Sequence, residues 1–397
     1  GPGYIRRLRD TDSDGVFDTF TEFASSRSGA FGMAWIDGAL FAVADDSVAV
    51  YRDRDGNQLA DGLPERLFSI QTGETGANGI RKGPDGYVYL IGGADAQWER
   101  MDPSGHAIPP EQRNQGAVVR FRPDGSDLSV YMSGLHGPYD FDFGALGEVL
   151  YFEPDHRATL HAPWNPGARL IAGRPFAEHG ARPSDSTGAF PRHDQALGGA
   201  DAIKILGRAN PLAPTVYRAQ RLPTYFQNGV FALDWTFGRL LFYPIERRPG
   251  GRHRASQANL LFEPVEGTGS TPCDLEIAPD GSLLIATGGR GTMGALLKLD
   301  ISEETADVPT PKSELEAVLA APAPQSAWSQ EAQRELLSLL GKERLLEAAF
   351  RLDLPIQQRQ RAIEILVESF NGLPNAALQE LARDENAALR ATVAWAW

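Results

Sequence analysis

Short apolar runs with alternating polar positions recur along the first three quarters of the chain, and tight turns join them in pairs. The alternation and the richness in Val, Ile, Leu, Phe and Tyr predict strands, and Asp-Gly or a similar dipeptide between two runs predicts a hairpin turn. Five such hairpins are predicted: GMAWIDGALFAVAD (32–45), GIRKGPDGYVYLIGG (79–93), YDFDFGALGEVLYFEPD (139–155), GVFALDWTFGRLLFYPIE (229–246) and CDLEIAPDGSLLIATGG (273–289).

Most of these hairpins are followed by a second pair of strands, as in SVAVYRDRDG…ERLFSI, GAVVRFRPDGSDLSVYMSG and ATLHAPWNPGARLIAG. Four strands in about 45 residues is the spacing of a propeller blade. An outer pair at 4–23 precedes the first hairpin, and a third strand at 294–300 follows the last. We therefore predict a mostly β, six-bladed β-propeller that is N-terminally incomplete. A five-bladed ring is the alternative.

The pattern changes at SEETADVPTPK (302–312), a polar segment with two prolines. Beyond it, Ala, Leu, Glu, Gln and Arg dominate, and apolar residues recur at helical spacing. The stretch RDENAALRATVAWAW has the rhythm of paired-helix solenoids, which need neighbouring repeats. The sequence thus predicts a propeller over 1–301, a linker over 302–312 and an α-helical HEAT-like segment over 313–397, in a chain that naturally continues further.

Two acidic stretches, RDTDSDGVFD (9–18) and DRDGNQLAD (53–61), share one spacing and fall in turns between predicted strands. Carboxylates at alternate positions of a tight loop repel one another unless a cation lies between them, and Ca²⁺ takes roughly six to eight oxygen ligands from flexible loops. We predict a structural calcium site in each, with a solvated acidic turn as the alternative. The predicted metal ligands are Asp10, Asp12, Asp14 and Asp18 in the first loop, and Asp53, Asp55, Asn57 and Asp61 in the second.

The net charge and the cysteine content argue against several classes of partner and cofactor. A formal net charge of -14 argues against nucleic acid and anionic membranes as partners, because both require a basic surface. No apolar run is long enough for a membrane-spanning helix. The single cysteine, Cys273, excludes an internal disulfide, and no Cys-x-x-Cys-His motif is present to attach a c-type haem.

Long connections are where a propeller places chemistry, on loops that lead into its inner strands. The longest predicted connection is 174–224, which contains a His beside an Asp, and 94–115 is the next, with Trp98 and His106. A His–Asp pair suits acid–base work, and an Arg between glycines suits an anion. We predict His193, Asp194, His136 and Arg290 as catalytic residues, and Arg182, Arg192 and Arg208 as cofactor-binding residues.

Several motifs together carry a family resemblance: LRDTDSDGVFD, NGIRKGPDGYVYLIGG, LPTYFQNGVFALDWTFGRLLFYPI and CDLEIAPDGSLLIATGGRGTMGALLKLD. They resemble the membrane-bound dehydrogenase-like propellers of planctomycetes and related bacteria, which are similar to soluble glucose/sorbosone dehydrogenases. The resemblance covers residues 4–301, and the helical tail fits the HEAT repeats that follow in that family. It implies an exported, periplasmic or secreted six-bladed propeller that binds pyrroloquinoline quinone (PQQ) and calcium.

The same resemblance implies oxidation of a carbohydrate, an aldose or sugar alcohol, with electrons passed to a cytochrome c domain or partner. A non-catalytic propeller that binds glycans or proteins is the alternative. The lead-in QTGETGANGIRKGPDG lacks the His that related dehydrogenases use as a base, and His136 and Gly137 stand where they carry Arg and Asn. A hydrolase or lyase that uses the segment 174–224 is a third hypothesis.

Overall fold

The computed structural model describes residues 3–12, 14–96, 116–154, 167–179, 202–248, 252–265, 269–289, 291–301 and 311–397. The chain divides into two compact units. The first comprises Gly1–Lys82, Val88–Asp140 and Pro175–Gly199, and the second comprises Gly83–Tyr87, Phe141–Arg174 and Ala200–Trp397.

The first unit contains a hairpin and two four-stranded sheets, all antiparallel and ordered as in the chain. Alternating apolar positions fill the core between the two larger sheets, with Phe41, Val50, Ile80, Leu90 and Phe121 fully or almost fully buried. The strands are β1 (Gly3–Arg9) with β2 (Thr19–Ser26); β3 (Ala30–Ile36), β4 (Ala39–Ala44), β5 (Ser47–Arg52) and β6 (Glu65–Ser69); and β7 (Ala77–Lys82), β8 (Val88–Gly92), β9 (Gly116–Phe121) and β10 (Ser129–Leu135).

The second unit contains two further four-stranded sheets, one three-stranded sheet and an inserted hairpin. The sheets are β11 (Phe141–Phe143), β12 (Val149–Glu153), β13 (Ala168–Gly173) and β14 (Ala202–Gly207); β15 (Pro211–Val216), β16 (Val230–Asp234), β17 (Arg239–Tyr243) and β20 (Asn259–Phe262); and β21 (Pro272–Ile277), β22 (Leu283–Gly289) and β23 (Thr292–Leu299). The inserted hairpin is β18 (Ile245–Arg248) with β19 (Arg252–Ala255).

Consecutive sheets are tied together through their first strands within each unit. A Cβ atom on Gly32 in β3 would lie 2.1 Å from the Asn78 carbonyl oxygen of β7, so glycine is required for this approach. In the second unit, the Val216 N–H donates to the Asp142 carboxylate at 2.7 Å, and the Thr215 hydroxyl donates to the Leu275 carbonyl at 3.0 Å. This arrangement of stacked four-stranded meanders is propeller-like.

Five helices form the end of the chain: α1 (Glu314–Leu319), α2 (Ala327–Phe350), α3 (Ile356–Phe370), α4 (Asn375–Leu381) and α5 (Ala387–Ala396). The Ser313 hydroxyl caps α1 by accepting the Glu316 N–H, and Gly341 interrupts α2 with a positive φ of 69°. Leu345, Ile363, Leu366 and other apolar side chains form their core. The Trp328 indole donates to the Ile277 carbonyl at 2.9 Å, so this small helical region packs on the β-strands of the second unit. Within the described residues, every helix is too short or too polar to cross a membrane.

The hairpins predicted at 32–45, 79–93, 139–155 and 273–289 are confirmed as the first and second strands of their sheets, and 294–300 is confirmed as a third strand. The hairpin predicted at 229–246 is also confirmed, since β16 pairs with β17, but its assignment as an inner pair is wrong, because these are second and third strands. The first strand of that sheet is β15. Its sequence, PLAPTV, was not predicted as a strand because it contains two prolines.

The segment 158–173 was predicted as a third and a fourth strand. Its first part lies outside the described residues, and β13 (Ala168–Gly173) is a third strand, because it pairs with both β12 and β14. The described residues thus contain four sheets of four strands and one of three, beside the β1–β2 and β18–β19 hairpins.

Candidate functional site

The up-and-down order of each sheet defines two ends. The segment that enters the first strand and the connection between second and third strands lie at one end, which we call the lead-in end. The connections between first and second and between third and fourth strands lie at the opposite end, the turn end. The acidic loop after β5 joins third and fourth strands, so it lies at the turn end of its sheet.

The first acidic loop gathers three of its predicted ligands. Carboxylate oxygens of Asp10, Asp12 and Asp14 lie within 4.8 Å of one another. Asp10 accepts the Gly15 N–H at 2.9 Å, and Asp14 accepts the N–H of residue 16 at 2.7 Å. These bonds hold the carboxylates around one point.

Asp18 has a different place in that loop. Its carboxylate accepts both the N–H and the hydroxyl of Thr11, which lowers the pKa of Asp18. It therefore closes the base of the loop and lies outside the three-carboxylate group.

The second acidic loop repeats four of the first loop's hydrogen bonds 43 positions later. Gln58 N–H donates to Asp53 at 2.9 Å, as Gly15 N–H does to Asp10. Arg54 N–H donates to Asp61 at 2.6 Å, as Thr11 N–H does to Asp18. Oxygens of Asp53, Asp55 and Asp61 converge within 4.8 Å, and the predicted ligand Asn57 donates its side-chain N–H to Asp55 at 2.9 Å. The sequence repeat is thus a repeat of conformation.

Asp53 provides the test of whether a cation fits. Its Oδ2 accepts the Gln58 N–H, while its Oδ1 is buried and has no hydrogen-bond donor among the described residues. A buried carboxylate oxygen without a partner is costly, and an oxygen-seeking cation is the partner that three converging carboxylates select. The loop residues therefore fit calcium.

Asp53→Asn is expected to remove the calcium site predicted in the second loop and leave the one predicted in the first. The asparagine oxygen still accepts the Gln58 N–H, but an NH₂ group replaces the buried Oδ1. We expect calcium to bind the second loop roughly a hundredfold more weakly, because changes to the residues that merely orient metal ligands already weaken metal binding by about 10–100-fold. Isothermal titration of the wild type should show two sites and the variant one. Asp124→Asn, at the corresponding turn between β9 and β10, should retain two.

The lead-in end of the first unit carries a second polar group, the lead-in cluster, which consists of Glu74, Thr75, Asn78, Asp95 and His136. Three loops meet there through the backbone. Asp95 N–H donates to the Thr75 carbonyl at 2.9 Å, and residue 94 N–H donates to the His136 carbonyl at 2.8 Å. The Thr75 hydroxyl also donates to the Asp95 carboxylate. Glu74, Thr75 and Asp95 are exposed, whereas His136 is half-buried.

Asn78 lies at the base of this cluster and is fully buried. Its side-chain NH₂ donates to the carbonyls of Gly76 at 3.2 Å and Glu74 at 3.4 Å, which fixes the orientation of the amide. Its Oδ1 consequently faces the other way, where no described residue offers a donor. Arg81, three positions further along β7, pairs with Asp140 at 2.8 Å, with only 18% and 11% of the two side chains exposed.

The cluster therefore offers acceptors and one imidazole. Glu74 and Asp95 contribute carboxylates, and the described segments 74–78, 93–96 and 135–140 contain neither lysine nor arginine. Carboxylate and amide oxygens accept hydrogen bonds from hydroxyl groups, and His136 can donate or accept. An anionic ligand would meet like charge in this cluster.

The predicted catalytic and cofactor residues are only partly placed. His136 lies in the lead-in to β11, and Arg208 is exposed in the lead-in to β15, so each is at the lead-in end of its own sheet. The other predicted residues lie outside the described residues: His193, Asp194, Arg290, Arg182, Arg192, Trp98 and His106.

The segment 174–224 was expected to be one insertion that leads into an inner strand, and this is wrong. It contains β14 and β15, and its first part connects the third and fourth strands β13 and β14. Residues 176–179 run beside β10, where His179 N–H donates to the Ser133 carbonyl at 2.9 Å. Sequence reasoning looked for chemistry in this long segment and missed Thr75, Asn78 and Asp95, whose only signal was short polar–glycine stretches beside two predicted strands.

Comparisons with known proteins agree with the propeller-like fold. A family model described as "Domain of unknown function (DUF7133)" matches residues 1–287. No curated protein matches the chain. Among solved structures, a calcium structure of Trichoderma reesei Carbohydrate-Active Enzymes Family AA12 is 13% identical, with a TM-score of 0.53, and the match covers 74% of this chain and 87% of that one.

Two further solved structures are similar. The holo form of the pyranose dehydrogenase PQQ domain from Coprinopsis cinerea is 12% identical, with coverage of 70% of this chain and 83% of that chain and a TM-score of 0.49. The apo form of the soluble aldose sugar dehydrogenase from Escherichia coli is also 12% identical, with coverage of 69% and 96% and a TM-score of 0.43.

Proposed function

This chain belongs to the family described as a domain of unknown function, DUF7133, and we propose that it is a calcium-binding propeller that takes a carbohydrate at the lead-in end of its first unit. The observation that carries the proposal is the lead-in cluster, in which three loops hold acceptor oxygens beside an imidazole. The fold shared with a Trichoderma protein titled as carbohydrate-active and calcium-containing supports both parts of it.

The cluster residues have distinct roles in binding. Asp95 is held by Thr75, so its carboxylate is preorganised to accept a sugar hydroxyl. Glu74 adds a second carboxylate, and His136 adds an imidazole that can donate or accept a hydrogen bond.

Calcium would be held by the two acidic loops, with Asp10, Asp12 and Asp14 in one and Asp53, Asp55 and Asp61 in the other. When bound, it neutralises their charge and makes the loops rigid. Because the second loop lies at the turn end of its sheet, away from the lead-in end, we propose a structural rather than catalytic role for the ion.

The described residues of the lead-in cluster do not fit PQQ. The quinone carries carboxylates, and Glu74 and Asp95 would repel it in a cluster that contains no lysine or arginine. We therefore derive no step through a quinone from this cluster. Quinone-dependent oxidation of the carbohydrate is the second candidate function, because the sequence resemblance implies it. Its cofactor would be held by Arg182, Arg192 and Arg208, with His193, Asp194, His136 and Arg290 in the reaction.

The same resemblance carries four further proposals: closure into six blades, a HEAT-like interaction role for 313–397, transfer of electrons to a cytochrome c domain or partner, and a periplasmic or secreted location.

Asp95→Ala is expected to weaken carbohydrate binding about tenfold, since a charged hydrogen-bond acceptor contributes about 1.5–3 kcal/mol. Calcium-loaded protein would be titrated with aldoses, sugar alcohols and oligosaccharides by calorimetry. Glu335→Gln, which removes an exposed carboxylate from α2, should bind like the wild type. Equal binding by Asp95→Ala and wild type would contradict the assignment of the cluster.

A parallel assay separates the two candidate functions. The same sugars would be tested for dye reduction with calcium and added PQQ. Binding without reduction and without retained quinone supports the binding protein. Reduction that requires PQQ and is lost in Arg208→Gln supports the dehydrogenase.

A further inference from the structure

The turn between β16 and β17 presents an aromatic ring that is backed by a fixed charge. The Phe237 side chain is 49% exposed. The guanidinium carbon of Arg239 lies over its ring, 4.7 Å from the ring centroid. Arg239 in turn binds Asp234, and its Nε and Nη2 lie 3.1 and 3.0 Å from one oxygen of that carboxylate. We call Asp234, Phe237 and Arg239 together the Phe237 platform.

The base of the platform is firmly held. Only 1% of the Asp234 side chain is exposed, and its second oxygen accepts the N–H of Thr236 at 3.1 Å and of Asn210 at 3.4 Å. These bonds tie the turn to the segment that leads into β15. Since the guanidinium covers one face of the Phe237 ring and about half of the side chain is still exposed, the opposite face is open to a ligand. A ring that is already fixed loses little conformational freedom on binding.

Hydroxyl groups border the platform. A Cβ atom on Gly238 would lie 2.6 Å from the Ser270 carbonyl oxygen, so the turn packs directly on the segment that leads into β21. In that segment the Thr271 hydroxyl lies 3.1 Å from the Thr292 hydroxyl, and Thr292 donates to the Gly289 carbonyl at 2.6 Å. All of these residues belong to the second unit and lie at the lead-in ends of their sheets. Serine and threonine hydroxyls donate and accept hydrogen bonds, so they can bind the hydroxyl groups of a ligand.

This surface favours a ligand ring that has an apolar face and a polar edge. The C–H hydrogens of such a face are attracted to the negative face of an aromatic π-system, and hydroxyl groups at the edge meet serine and threonine side chains. Arg239 is engaged by a buried carboxylate, so its charge is not available to hold an anionic ligand. One exposed ring with a border of hydroxyl groups is also too small for a protein interface.

We propose that the Phe237 platform binds the apolar face of a neutral pyranose unit, as a carbohydrate subsite in the second unit. The proposal rests on the proposed carbohydrate function and deepens it, because it makes the ligand a cyclic sugar. An open-chain sugar alcohol has similar hydroxyl groups but no ring face, so it would gain nothing from Phe237.

Calcium-loaded full chain would be titrated by calorimetry with cellotetraose, maltotetraose and sorbitol. Phe237→Leu keeps an apolar side chain but removes the ring, and it is expected to bind the tetrasaccharide that the wild type takes about tenfold more weakly. Phe237→Tyr retains a ring and should bind within twofold of the wild type. Thermal unfolding would establish that each variant is folded.

Phe20→Leu is the matched control. Arg6 also lies 4.7 Å from the centroid of the exposed Phe20 ring, but it pairs with Glu22 at the surface, where 49% of each of these two charged side chains is exposed. The ring is therefore not fixed by a buried group, and Phe20→Leu should bind the tetrasaccharide like the wild type.

Weaker tetrasaccharide binding in Phe237→Leu alone, with sorbitol binding unchanged, supports the proposal. Equal binding by Phe237→Leu and the wild type, an equal loss in Phe237→Tyr or Phe20→Leu, or an equal loss for sorbitol would overturn it. The two sites fail separately. Normal binding by Phe237→Leu with weak binding by Asp95→Ala would overturn the platform and leave the lead-in cluster, and the converse result would overturn the cluster and leave the platform. A wild type that binds none of the sugars would overturn both.

Discussion

Asp140→Ala is expected to lower the free energy of unfolding by about 3–5 kcal/mol, because it removes the partner of a charge that is largely withdrawn from water. Arg81 donates to the Asp140 carboxylate at 2.8 Å, and less than a fifth of either side chain is exposed. The other Asp140 oxygen lies where a Cβ on Gly79 would be, so the carboxylate also fills the space between two adjoining first-strand segments. Urea unfolding would measure the loss.

The next residue along the same strand provides the control. Lys82 pairs with Asp37 at 3.0 Å, but 52% of the Asp37 side chain is exposed. Asp37→Asn should therefore cost less than about 1 kcal/mol. The double variant R81M/D140A should recover part of the loss, since it leaves no charge behind. Similar losses of unfolding free energy for Asp140→Ala and Asp37→Asn would show that burial does not determine how much the Arg81–Asp140 ion pair contributes to stability.

The sheets were predictable where short strand-forming runs are joined in pairs by tight turns. β3 and β4, and β7 and β8, are joined in this way by Asp-Gly turns, so their hairpins were found from sequence. β15 was missed because its two prolines look like a loop, although its residues are buried. Its position is set by tertiary contacts, including the Thr215 bond to Leu275, and such contacts have no local signature.

The two candidate sites likewise differ in how far they could be predicted from local sequence. The acidic loops are local, so spacing alone predicted that Asp10, Asp12 and Asp14 would converge, and the second loop repeats four hydrogen bonds of the first. The lead-in cluster joins loops far apart in sequence: Thr75 and Asp95 are 20 positions apart, and His136 is further still. Only the pairing of β7 with β8, and the packing of the next lead-in against them, brings these residues together.

Removal of calcium is expected to destabilise the protein by about 5 kcal/mol, which is the sum for two sites of about 2.7 kcal/mol each when free calcium is near a hundred times the dissociation constant. Thermal unfolding of chelated and calcium-loaded protein would measure this difference, with magnesium as the control ion. Asp53→Asn should retain about half of the response, since its first loop is intact.

Asp12→Asn gives a sign test between a calcium site and a solvated acidic turn. Asp12 belongs to the three-carboxylate group and is exposed, so its replacement disturbs no core packing. If the loop binds calcium, the variant is less stable than the wild type in calcium and more stable in chelator, because the same carboxylate is a ligand in one condition and a source of repulsion in the other. A variant that is more stable in both conditions would identify the loop as a solvated turn.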